Sequence, residues 1–174
     1  MSLHPHHLLD LKKSALSDDT ILLAGIYSVT PSDISRRLEN HFPKVESLLA
    51  FPYSGHDGFE RFKLFPSQGD VKYYQKKGSP AHLYFPPQVK DIFSDTSKKI
   101  GIVEGEKKAL AANQKNLPYI GIGGLWNWSD GSGDKNLISD FDLIQWEKRD
   151  VEICADNDFL EPSRHGEQKN LRQA

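Results

Sequence analysis

The sequence has one cysteine, Cys154, among its 174 residues. An internal disulfide is therefore excluded, and so is a zinc ribbon built on cysteines. No apolar run approaches the ~20 residues that a helix needs to cross a bilayer. The first residues also lack the basic-then-apolar pattern of a signal peptide. We therefore expect a soluble, cytoplasmic protein with no membrane partner.

A large excess of charge of either sign is missing as well. The chain has 22 Lys and Arg residues against 24 Asp and Glu residues, a formal net charge of -2. Such a chain has no overall field that attracts polyanions, so nucleic-acid binding would have to come from a local patch or from metal ions. The hydrophobic content of 37% is that of a folded domain, not of a disordered chain.

The N-terminal half combines helical and strand patterns. Residues 8–38 predict short helices, one of them capped by Ser17. Alternating apolar residues on either side of the turn at residues 54–58 predict a β-hairpin. A second strand pair is predicted at residues 71–75 and 81–85. This half is therefore expected to be helical and antiparallel.

The C-terminal half has short apolar runs that alternate with helical patterns. Strands are predicted at residues 100–103, 119–122 and 151–155, and helices at residues 106–112 and 136–146. This alternation indicates a mostly parallel sheet with right-handed crossovers. The predicted fold class is α+β. Its two predicted parts are an N-terminal segment, residues 1–95, and an α/β segment, residues 96–174.

Three carboxylates follow two of the predicted strands. Glu104 comes directly after one strand, and Asp156 and Asp158 come after another. Ligands of open parallel sheets bind at the carboxyl ends of the strands, so these side chains are expected to lie close together. Clustered carboxylates repel one another unless a cation lies between them. A hard divalent ion, Mg²⁺ or Mn²⁺, suits oxygen ligands of this kind.

The same segments resemble the two signature motifs of the Toprim domain, which DnaG-type primases, topoisomerases and some nucleases share. The first is IVEGEKKAL at residues 102–110 and the second is ICADND at residues 153–158. The segment PYIGIGG at residues 118–124 matches the second strand of that family. More closely, nearly the whole chain is similar to a Toprim-like domain of unknown function found in phage and plasmid primase-helicase proteins.

This resemblance implies a Toprim-like α/β segment in a DNA primase or primase-helicase of a mobile element, active in DNA replication. It implies that Glu104 is a general acid or base and that Asp156 and Asp158 hold Mg²⁺ for nucleotidyl transfer. The implied partners are DNA or RNA, nucleoside triphosphates and a replicative helicase. Many Toprim proteins have Asp where this chain has Lys108. The family's sheet also continues beyond the second motif, so we expect the chain to be a fragment.

Two other functions fit the same residues. In a metal-dependent nuclease, the same carboxylates and ion would activate water instead of a ribose hydroxyl. The fold could also serve as a non-catalytic module that binds nucleic acid or a replication protein. The substitution of Lys108 into the first motif is compatible with such a module.

A local excess of positive charge lies in and after the predicted hairpin, interleaved with aromatic residues. It could follow a phosphate backbone, or it could be an ordinary solvated sheet face. The candidate nucleic-acid-binding residues are Arg61, Lys63, Lys72, Lys76 and Lys77.

Two other groups of polar residues are interpreted as having no special role. Lys107 and Lys108 are read as surface lysines at the start of a helix, where the helix dipole does not favour them. The cluster of His4, His6 and His7 is read as incidental, because it lies near the chain terminus.

Overall fold

The computed structural model describes residues 3–39, 42–133 and 136–156. The α-helices are α1 (Pro5–Lys13), α2 (Asp18–Leu23), α3 (Ile34–Arg37) and α4 (Glu106–Asn113). The strands are β1 (Tyr27–Ser28), β2 (Ser47–Pro52), β3 (Glu60–Gln68), β4 (Val71–Tyr74), β5 (Leu83–Tyr84), β6 (Ile100–Glu104), β7 (Tyr119–Ile122) and β8 (Val151–Cys154). Short 3₁₀ helices span Pro31–Asp33, Val89–Ile92 and Ser139–Leu143. No helix in these ranges is long and apolar enough to cross a membrane.

The helix α2 begins where the sequence predicts a cap. The hydroxyl of Ser17 accepts a hydrogen bond from the backbone N–H of Thr20 at 3.1 Å, which satisfies a free donor at the start of α2. Pro5 occupies the first turn of α1, where its missing N–H costs nothing. The predicted cap at Ser17 is confirmed.

The first sheet is antiparallel, in the order β1-β2-β3-β4. β2 and β3 form the predicted hairpin, with Ser47 opposite Phe65 and Pro52 opposite Glu60. One face of β2 packs Leu49 and Phe51 towards α1 and α4. The other face packs Leu48 and Ala50 against Val29, Leu38 and Val45. β2 is therefore buried on both faces, which the sequence did not indicate.

The second sheet has the order β5-β7-β6-β8. β6 runs parallel to both β7 and β8, and β5 is an antiparallel edge strand. The α+β class with one antiparallel sheet and one mostly parallel sheet is confirmed. The short continuous apolar runs of β6 and β7 form the buried centre of this sheet, as is usual for parallel strands.

One predicted strand pairing and one predicted helix are wrong. β4 pairs with β3 and not with residues 81–85, because Leu83 and Tyr84 are fully buried and pair with β7 instead. Residues 136–146 form a five-residue 3₁₀ helix and no α-helix. The start of that stretch is held in an extended conformation, since Leu137 bridges Ser129 and the N–H of Ile138 donates to Trp128.

The division of the chain near residue 95 remains a prediction. One hydrophobic cluster contains Leu11, Phe51 and Tyr84 from before that position together with Val103 and Leu110 from after it. β5 also comes from the N-terminal side and joins the second sheet. The two predicted segments thus share a core.

We predict that Gly105→Ala destabilises the protein by about 1–3 kcal/mol, because Gly105 links β6 to α4 at φ 93 and ψ 153, a region open essentially only to glycine. Urea unfolding monitored by circular dichroism measures the loss. Gly124→Ala is the control, since the nearest atom to a Cβ there is 3.8 Å away. Equal stability of Gly105→Ala and wild type would contradict the strain argument.

His7 is an interior residue, which corrects its interpretation as incidental. It is fully buried, with Nδ1 2.7 Å from the hydroxyl of Ser28 and Nε2 3.0 Å from that of Ser47. Burial, together with the charges of neighbouring His6 and His4, lowers the pKa of His7 from 6.5 to about 4. The imidazole therefore stays neutral in the folded protein near neutral pH.

This lowered pKa predicts a pH-dependent stability. Below about pH 6.5 the unfolded chain protonates His7 and the folded protein does not, so the free energy of unfolding falls as the pH drops towards 4. We expect His7→Gln to show a shallower fall between about pH 7 and about pH 5, in urea titrations at each pH. Leu9→Gln, an exposed and uncharged position on the same helix, should keep the wild-type slope. A wild-type slope in His7→Gln would exclude this role.

Candidate metal and nucleic-acid site

The predicted carboxylate site lies at the carboxyl edge of the second sheet. β6 and β8 are parallel neighbours, with Val103 opposite Cys154. Glu104 is the last residue of β6, and Asp156 follows the end of β8 by two residues. Because the two strands are parallel, both residues leave the sheet at the same edge. Neighbouring strands are about 4.8 Å apart, so the two residues lie close together there. Asp158 lies outside the described residues.

Lys108 forms an ion pair with Asp156. Lys108 is in the first turn of α4, at the position where many Toprim proteins have an aspartate. Both side chains are about half exposed, at 48% and 43%. The ammonium group partly neutralises Asp156 and would compete with a divalent cation for its oxygens. Lys108 is thus on the surface, as interpreted, but it belongs to the carboxylate edge.

A buried ion pair lies directly behind this edge. Glu106 is 2% exposed, and its Oε1 accepts hydrogen bonds from Nη1 of Arg61 at 2.6 Å and from the hydroxyl of Tyr53 at 2.7 Å. Burial, and then the negative charge of Glu106, raises the pKa of Tyr53 well above its ordinary value. The contact joins the hairpin of the first sheet to α4 just after Glu104.

Arg61 therefore does not lie on an exposed nucleic-acid face. Its side chain is 11% exposed, because Arg61 lies opposite Phe51 on the face of the sheet that packs towards α1 and α4. The guanidinium group lies against Gly123, where a Cβ would be only 2.6 Å from Nη1. Gly121 is similarly close to other atoms, since a Cβ there would be 3.0 Å from the carbonyl oxygen of Gly105. Gly123 makes room for the junction between the sheets, and Gly121 makes room for the packing of α4 on β7.

Lys63 is also engaged inside the protein. Its Nζ is 2.5 Å from Oδ1 of Asp10, and Nζ of Lys107 is 3.1 Å from Oδ2 of the same residue. Burial alone would raise the pKa of Asp10, but the hydrogen bonds from both lysines outweigh it and lower the pKa. Lys107 is 17% exposed and is a partner of α1, not the surface lysine that we interpreted it to be.

The remaining candidates for nucleic-acid binding are exposed. Lys72, Lys76 and Lys77 lie on β4 and in the loop after it. Lys76 is 3.6 Å from Glu39. The structure thus divides the five predicted cations into two internal ion-pair residues and three exposed lysines.

A second polar cluster was missed in the sequence. Nε2 of His56 and Nδ1 of His82 are 3.1 and 3.2 Å from Oδ2 of Asp140. The ligand atoms of the three side chains all lie within 4.8 Å of one another, so the group could hold a metal ion. The residues come from the β2–β3 turn, the residue before β5 and a 3₁₀ helix. Their spacing matches no common ligand motif, so local sequence gave no signal.

This histidine cluster borders a cleft of about 650 Å³. His56 and His82 line the cleft together with Phe59, Arg37 and Glu60. Arg37 and Glu60 pair with each other at 2.6 Å, so their charges largely cancel. The cleft is therefore mixed in character and is no strong anion site. Glu104 and Asp156 do not line it.

Three comparisons with known proteins were informative to different degrees, and the one with solved structures agrees with the described fold. A family model described as a domain of unknown function (DUF3854) matches residues 90–173. No curated protein matches the sequence. Among solved structures the chain is similar to the DnaG primase catalytic domain bound to ssDNA, with a TM-score of 0.55 and 15% identity. That match covers 93% of this chain and 56% of the primase chain. The described fold is therefore primase-like.

We predict that Glu106→Gln destabilises the protein by about 3–5 kcal/mol, because it leaves the buried charge of Arg61 uncompensated. The double variant Arg61→Met with Glu106→Gln should recover part of this loss, since the glutamine can still accept from Tyr53. Urea unfolding of the single and double variants measures the difference. If the double variant is less stable than Glu106→Gln, the uncompensated charge of Arg61 is not the cause of the loss.

Proposed function

We propose that this chain is the Toprim-like part of a DNA primase or primase-helicase of phage or plasmid type. Its proposed chemistry is Mg²⁺-dependent nucleotidyl transfer in DNA replication. The observation that supports this is the placement of Glu104 and Asp156 at the carboxyl edge of neighbouring parallel strands, in a fold similar to a primase catalytic domain. The activity, substrates and partners of the whole protein are part of the proposal, since the chain spans 56% of that domain.

The donor set suits the proposed ion. Glu104, Asp156 and Asp158 offer only oxygen atoms, which Mg²⁺ and Mn²⁺ prefer over nitrogen or sulfur. The ion would neutralise charge on the nucleotide phosphates and position them for attack. Lys108 pairs with Asp156, so the ion would have to displace its ammonium group from this carboxylate.

Four residues have distinct proposed roles in this chemistry. Glu104 would accept or return the proton of the attacking hydroxyl group. Asp156 and Asp158 would hold the ion. Lys108 would pass from Asp156 to a substrate phosphate when a cation takes the carboxylate, because both contacts are ion pairs of similar geometry.

The nucleic-acid surface would lie apart from this edge. Lys72, Lys76 and Lys77 are exposed and could contact phosphates of DNA or RNA. The similar primase domain is bound to single-stranded DNA, which supports a strand of nucleic acid as the partner. A replicative helicase is proposed as a further partner.

We expect Glu104→Gln and Asp156→Asn to abolish primer synthesis, because each removes a charge needed for proton transfer or for metal binding. Asp156→Asn should also weaken Mg²⁺ binding to this chain, measured by isothermal titration calorimetry. The control is Asp142→Asn, an exposed aspartate away from this edge, which should behave like wild type. Primer synthesis that persists in Glu104→Gln or in Asp156→Asn would defeat the proposed role of that residue.

The same assays separate the two other functions. Cleavage of DNA with Mg²⁺ but without nucleoside triphosphates would indicate a nuclease. The ion pair between Lys108 and Asp156 favours a non-catalytic binding module, because it occupies a carboxylate that catalysis needs. Such a module would bind single-stranded DNA equally well in wild type and in Asp156→Asn, with no product in either reaction.

A further inference from the structure

We propose that His56, His82 and Asp140 form a site for one divalent ion of the Zn²⁺ class, separate from the carboxylate edge. The proposed ligand atoms are Nε2 of His56, Nδ1 of His82 and one carboxylate oxygen of Asp140. A water from the neighbouring cleft would take the fourth position.

The distances suit tetrahedral coordination. Zinc lies about 2.0–2.1 Å from imidazole nitrogen and carboxylate oxygen, so two ligand atoms of a tetrahedral site are roughly 3.3 Å apart. The oxygen Oδ2 of Asp140 is 3.1 Å from His56 and 3.2 Å from His82. The two imidazole nitrogens lie within 4.8 Å of each other, and the rings, whose centroids are 3.8 Å apart, would rotate to admit the ion.

The charge of Asp140 needs a cation. The residue is 5% exposed, and an unpaired buried carboxylate is costly. Within the described ranges, its ion-pair contacts are the two imidazoles, and no Lys or Arg is among them. A metal ion would supply the positive charge and would bind the neutral form of the imidazole.

Hydrogen bonding leaves one ligand atom without an aligned partner. Nε2 of His56 is buried and forms no hydrogen bond within the described chain, although Asp140 lies 3.1 Å away. The carboxylate is fixed by the backbone N–H of Leu83, which donates to Oδ2 at 2.7 Å. Such a contact orients a ligand from behind, as second-shell groups do in metal sites.

The surroundings favour a borderline transition metal over Mg²⁺. Two imidazoles and one carboxylate form a donor set common in zinc sites and unusual for magnesium. Phe59 packs edge-on to His82 at 4.6 Å, and Phe85 stacks on His56 at 6.2 Å. These rings limit water on one side, while the cleft that both histidines line leaves the other side open.

The site would also tie together parts of both sheets. His56 belongs to the turn between β2 and β3 of the first sheet, and His82 precedes β5 of the second sheet. Asp140 lies in the 3₁₀ helix that packs its neighbour Phe141 into the core below the second sheet. Metal binding would therefore stabilise the junction of three segments that are distant in sequence.

The test is Zn²⁺ binding to the 174-residue chain, measured by competition with a fluorescent zinc chelator. We expect wild type to bind one equivalent and to gain thermal stability. His56→Asn and His82→Asn should bind at least about 100-fold more weakly, since even second-shell losses cost 10–100-fold. Asp140→Asn should also bind weakly, although its amide oxygen can still accept from Leu83. His4→Asn is the control, because it removes an exposed histidine from the terminal cluster.

Folding and metal binding are separated by measuring each variant in EDTA. His56→Asn is the primary variant, since Nε2 of His56 has no aligned hydrogen bond to lose. Co²⁺ added to wild type should give the visible absorption of a tetrahedral site, and His56→Asn should lack it. The proposal is overturned if wild type binds no Zn²⁺, or if the His56 and His82 variants bind it as wild type does. Loss of binding in His4→Asn alone would place the ion at the terminal cluster and would also overturn it.

Discussion

The buried contact between Arg61 and Glu106 is the interaction on which the arrangement of this molecule depends. Glu106 lies in the first turn of α4, where the helix dipole favours an acidic side chain. Arg61 reaches it from β3 of the first sheet. Because Glu106 is only two residues after Glu104, the same contact fixes the end of β6 relative to the hairpin. The high cost of burying two charges is offset by their pairing and by the hydroxyl of Tyr53.

Much of the fold could be predicted because its strands carry clear local patterns. The alternation along β3 and the continuous apolar run of β6 each match one kind of strand environment. The strand at residues 81–85 was predicted, but its partner could not be assigned, since the two residues of β5 carry no information about which strand they pair with. The stretch from residue 136 to 146 was misread as a helix because apolar residues three apart fit an α-helix and a 3₁₀ helix nearly equally.

The candidate sites also differ in how far the sequence could predict them. Glu104 and Asp156 could be placed at one edge from the rule that parallel strands end on the same side. Arg61 and Lys63 were misplaced, because the alternation along β3 does not distinguish a charged side chain in solvent from one paired with a carboxylate inside the protein. The cluster of His56, His82 and Asp140 depends on three separate segments and on the position of β5. No local pattern in the sequence reports such an arrangement.

Central and edge strands also differ in how firmly they are held. β2 has a neighbour on each side, and its residues 47–51 are buried. β8 has one neighbour among the described strands, and Val151 and Ile153 are 45% and 74% exposed. Backbone amides of β2 should therefore exchange with solvent only when the whole protein unfolds, whereas those of β8 can exchange through local opening. Asp156 follows an edge strand that can open locally, so this edge can admit or release a ligand while the core stays intact.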